Sequence, residues 1–130
     1  MPFITADQLL AHAVGDYVLQ SEWMATRKGR DSVAAAVHAF VYTLPFLLLT
    51  QEAAALAFIA GTHFVIDRWR LARFVVWLKN RPFPGSKPWQ ECRATGYPPE
   101  TPPYLASWLL IVVDNTLHVT MNGVALSFLV

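Results

Sequence analysis

Long apolar runs interrupted by single polar residues fill most of the chain, and those polar residues recur at helical rather than strand spacing. Residues 12–20, HAVGDYVLQ, set a histidine and an aspartate four apart inside an apolar run. The spacing returns as HFVID at 63–67 and, reversed, as DNTLH at 114–118. Thr5-Ala6-Asp7-Gln8 has the form of a capping box and predicts a first helix over about 5–24. A second helix is predicted over 33–49, after Asp31 and Ser32, with Pro45 tolerated as a kink. The turn at 50–52 is short, so a third helix over 52–80 must run antiparallel to the second. Residues 81–101 are rich in Pro and Gly and predict a loop, after which Thr101, Pro102 and Pro103 predict the start of a fourth helix over 102–130.

Composition changes the picture from a soluble bundle to a membrane one. Hydrophobic residues make up 55% of the 130 residues and charged ones 15%, with a mean hydropathy of +0.35. The expected fold is therefore all-α, a single integral membrane domain built as a four-helix antiparallel bundle. The net charge of +1 conceals clustering: Arg27, Lys28 and Arg30 form one basic zone, and the other seven basic residues fall between Arg68 and Arg93. Clustered loop charge argues for cytoplasmic loops and against nucleic-acid binding. It predicts a multi-pass protein of a bacterial inner membrane, with both termini outside, the basic loops inside, and membrane lipids as partners. Homo-oligomerisation is compatible with this. Cys92 is the lone cysteine, so no intrachain disulfide is expected, and no basic n-region or cleavage site predicts a signal peptide.

Residues four apart share one face of a helix, so His12 with Asp16, His63 with Asp67, and Asp114 with His118 each form a potential clamp. The fourth histidine, His38, falls in the second helix, giving each helix one histidine. A charged aspartate at the centre of a membrane helix costs about 2.5–3.5 kcal/mol, and a divalent cation offsets this more fully than a basic residue does. The predicted ligands are thus His12, Asp16, His38, His63, Asp67, Asp114 and His118, too many for one tetrahedral ion. Mixed nitrogen and oxygen donors suit Zn2+ first, as one or two ions, with Mn2+ or Fe2+ as alternatives. An open site of that kind activates water and clamps a phosphate or ester oxygen, which predicts a metal-dependent hydrolase of phosphate-ester or lipid-like substrates with an inward-facing site. Gln8, Gln20 and Asn122 extend the polar stripes as outer hydrogen-bond partners of the ligands. Arg68, Arg70 and Arg73 can bind an anionic headgroup or simply anchor a helix end at the interface. The competing expectation is a non-enzymatic membrane protein whose His/Asp core is a structural network or a proton or ion pathway.

The segments HAVGDYVLQSEWMA, HFVIDRWRLARFVVWLKN and TGYPPETPPYLASWLLIVVDNTLH resemble the signature segments of the domain of unknown function 3307 family. That resemblance implies a small integral membrane protein of bacteria or their phages, and it implies no particular activity. The HxxxD pairs are also distantly similar to those of membrane-bound metal-dependent hydrolases, which are likened to zinc phospholipase C and its nuclease relatives. By that similarity His12, Asp16, His63, Asp67, Asp114 and His118 would be ligands, while His38 has no partner four residues away. The chain is far shorter than the soluble enzymes and lacks their N-terminal ligand segment.

Overall fold

Thr5 opens the first helix, α1 (Ala6–Ala13), through the predicted capping box: the Thr5 hydroxyl accepts from the Gln8 amide and the Gln8 side chain accepts from Thr5 N–H. The computed structural model describes residues 2–130, and all regular structure among them is helical. The remaining α-helices are α2 (Glu22–Arg27), α3 (Ser32–Thr43), α4 (Ala53–Arg68), α5 (Ala72–Asn80), α6 (Trp89–Cys92) and α7 (Pro103–Phe128). By contacts the chain forms two compact units. One comprises the residues up to Trp69 together with His118–Val130; the other is Arg70–Leu117.

Three of the four helices expected from periodicity are interrupted, each for a local reason. The first widens at once into a π segment, Val14–Val18, whose closing bond runs from Leu19 N–H to Val14 C=O at 2.9 Å. Gln20 then donates to Asp16 C=O at 2.9 Å, and the chain restarts as α2 with Ser21 as its cap. At Pro45 the second helix passes from α3 into a 3-10 segment, Leu44–Leu48. The third ends at Arg68, because Arg70 adopts a left-handed φ of 50°. A guanidinium bond from Arg70 to Ala94 C=O at 2.7 Å supports that strained turn. Only α7 is both long and apolar enough to cross a membrane, with 26 residues, and Ser32–Leu48 is a shorter apolar stretch. The multi-pass bundle expected from the sequence is therefore reduced, on helix length, to one candidate span among the described residues.

In the first unit α3 is the central element, packed on α4, on α2 and on the π segment. Small residues permit the approach: Ala34, Ala35 and Ala39 of α3 and Ala55 of α4 are buried. Tyr42, Phe46, Ile59 and Ala125 close an apolar cluster with Ala11 and Ala55. Polar groups share this interior, while large apolar side chains face out, among them Leu48 at 89% exposure and Val18 at 73%. The second unit has its own small core of Val76, Tyr97 and Ala106. Around it Phe74 stacks on Trp89 at 4.4 Å, and Arg73 lies over both rings, 5.0 and 5.3 Å from their centroids. The predicted loop thus folds back on α5 and includes the short helix α6.

Candidate metal centre

The buried polar residues of the first unit converge from separate helices. Asp16 comes from the π segment, His38 from α3, and His63 with Asp67 from α4; all four are buried. Their best-placed ligand atoms all lie within 4.8 Å of one another, a grouping that can hold a metal ion. His38 Nε2 stands 3.0 Å from Asp16 Oδ1 and 3.2 Å from Asp67 Oδ2. His63 Nε2 stands 3.0 Å from Asp67 Oδ2 and 3.5 Å from Asp16 Oδ1. The two imidazole nitrogens are themselves 2.9 Å apart. Two ring nitrogens and two carboxylate oxygens thus point at one place. A proton shared between the nitrogens would satisfy that pair alone, whereas a cation among them would satisfy all four donors. Asp67 Oδ2 accepts no aligned hydrogen bond, and Nδ1 of both His38 and His63 has no partner among the described residues.

The other predicted residues take different places. His118, on α7, directs Nε2 to the second oxygen of Asp67 at 3.1 Å, and its ring stacks on His63 with centroids 4.1 Å apart. His12 is buried beside the four-residue group: Nδ1 meets the Tyr42 hydroxyl at 2.9 Å and lies 3.7 Å from Asp16 Oδ2. Asp114 is half-buried on α7, one turn before His118 and within the second unit. Gln8 donates to Val119 C=O at 2.8 Å, tying α1 to the end of α7, and Asn122 donates to the Tyr42 hydroxyl at 2.7 Å. Gln20 serves the helix end described above. The three arginines each brace backbone carbonyls: Arg68 that of Gly29 at 3.4 Å, Arg70 that of Ala94, and Arg73 that of Arg93 at 2.7 Å. Arg68 also donates to Ser32 Oγ at 3.0 Å.

Two residues that spacing did not single out belong to the centre. Tyr42 stacks on His63 with centroids 3.6 Å apart and an 18° tilt, while its hydroxyl joins His12 to Asn122. Its position one turn after His38 was the available signal. Lys28 reaches Asp67 Oδ2 at 3.0 Å from the turn after α2. Nothing in its local sequence distinguishes it from Arg27 or Arg30. In the second unit, burial pushes the Cys92 thiol up, with Glu91 and Glu100 adding to the effect.

The fold and site define an all-helical protein with a buried His/Asp centre and an outward-facing apolar surface. Residues 4–127 match the family described as protein of unknown function (DUF3307), and the chain belongs to that family. No curated protein and no solved structure matches it.

Proposed function

We propose that this chain is a membrane-embedded protein whose Asp16, His38, His63 and Asp67 bind a divalent cation, with hydrolysis of a phosphate ester or lipid-like substrate as the reaction it serves. The observation that carries the metal half is the convergence of two nitrogens and two oxygens at 2.9–3.5 Å. A tetrahedral ion with bonds of about 2.0–2.2 Å holds its ligands roughly 3.3–3.6 Å apart, so the observed donors need spread by only a few tenths of an ångström. The donor types favour Zn2+ over Mn2+ or Fe2+. Bound there, an ion that takes a substrate oxygen as an additional ligand would supply Lewis-acid polarisation of a phosphoryl or ester oxygen. Around it, this chain's own residues position the donors. His118 holds the free oxygen of Asp67, and Tyr42 packs flat on His63. The membrane half is supported by the apolar length of α7 and by the many large apolar side chains that face outward.

A second reading has its own support. The Lys28 ammonium against Asp67, with imidazoles against both carboxylates, can balance charge without any ion, as a structural network or a proton path would. Elemental analysis of protein purified in mild detergent without chelator separates the two. We expect one to two metals per chain in the wild type and none after His63→Ala with Asp67→Ala. Metal-free wild type whose thermal unfolding ignores both Zn2+ and chelator would eliminate the metal reading, and the hydrolase with it.

A further inference from the structure

Lys28 is the cation nearest the convergent donors, and the fold delivers it there deliberately. It follows the last residue of α2, its own N–H bonding Met24 C=O at 3.0 Å, and its side chain is only 21% exposed. The turn that carries it is gripped from α4. Arg68 donates to Gly29 C=O and to Ser32 Oγ, while the neighbouring Asp67 receives the Lys28 ammonium. Two successive residues of α4 therefore fix one turn, with Arg68 holding its backbone and Asp67 its cation.

The oxygen that Lys28 contacts is the one required by a metal. Asp67 Oδ2 is also the atom 3.0 Å from His63 Nε2 and 3.2 Å from His38 Nε2. An ion ligated by that oxygen at about 2.0–2.2 Å would lie within roughly 5 Å of the ammonium, close enough for strong repulsion in a buried site. Coordination and the ion pair also draw on the same lone pairs.

We propose that Lys28 is a tethered cation that competes with the divalent ion for Asp67 Oδ2 and thereby sets the metal affinity of the centre. The inference rests on the metal reading above. In the metal-free protein the ammonium joins the imidazoles of His38, His63 and His118 in balancing the buried Asp67 carboxylate; on loading, the ion takes that oxygen and the side chain withdraws. Coupling of this kind is reciprocal: the lysine contact lowers metal affinity by the same factor by which bound metal weakens the lysine contact.

The test is Zn2+ affinity, measured in detergent by competition with a chromogenic chelator, for wild type, Lys28→Met and Lys28→Arg. Removing the charge should tighten binding by about tenfold or more, whereas arginine, which keeps the charge, should stay within about threefold of wild type. A purely structural lysine would predict weaker or unchanged binding in Lys28→Met. That result, with wild type binding normally, overturns this inference and leaves the metal reading standing. Absence of Zn2+ binding in every variant overturns both. If Lys28→Met folds only when Zn2+ is added, the ion is replacing the ammonium, as proposed; if it stays unfolded with Zn2+, the proposal fails.

Discussion

At the level of single residues, the centre separates histidines that look alike in sequence. His63 Nε2 faces both aspartates, whereas His12 is engaged by the Tyr42 hydroxyl. We therefore expect His63→Ala to abolish metal binding. His12→Ala should retain the stoichiometry and weaken affinity by about 10–100-fold at most, as losing an outer partner does; equilibrium dialysis distinguishes these. Tyr42→Phe deletes the hydroxyl shared by His12 and Asn122 and so removes a buried hydrogen bond from each. A loss of about 1–3 kcal/mol in unfolding free energy is expected. The His/Asp spacing made most of these residues legible, but not their partners. Periodicity placed His12, His63 and His118 each against the aspartate on its own helix and left His38 without one. The structure instead adds links between helices, from Asp16 to His38 and from Asp67 to His118. Lys28 was not legible at all, because helical period says nothing about which residue of a turn points inward.

Among the elements, what the sequence displays best is where helices begin. The Thr5 box, the Asp31 cap and the proline start of α7 all use side chains whose chemistry is local. Of the interruptions, the one at Pro45 carried a sequence signal, whereas the π segment and the left-handed Arg70 are closed by local bonds that no residue pattern announces. At Gly15 the π segment passes so close to α3 that an added Cβ would lie 2.7 Å from the Tyr42 ring and 2.8 Å from its carbonyl oxygen. Gly15→Ala should accordingly push the π segment away, lower thermal stability and shift the adjacent Asp16, weakening Zn2+ binding in the same preparation. Gly61, in the middle of α4, meets nothing within 4 Å. There the same substitution should raise stability by about 0.8–1 kcal/mol through helix propensity and leave metal binding unaltered. Equal effects at the two glycines would contradict the packing described.

For the molecule as a whole, the outward-facing apolar surface predicts recovery in the membrane fraction and resistance to alkaline extraction. Trp108 and Val112, both exposed on α7, offer a sharper probe. Replacing Val112 by Lys should disfavour insertion by about 2.5–3.5 kcal/mol, read as the inserted fraction in a translocation assay. An unchanged fraction would show that α7 does not face lipid. The apolar composition announced this much, yet helix length supports a single span where periodicity had suggested four. The first unit is also discontinuous along the chain, taking residues up to Trp69 and then His118–Val130. This sets an order for biosynthesis. Asp16, His38, His63 and Asp67 leave the ribosome together, but the imidazole that binds the other oxygen of Asp67 is 51 residues further on. The nascent chain must carry a half-satisfied carboxylate until α7 arrives, so the centre is completed only once His118 has been made.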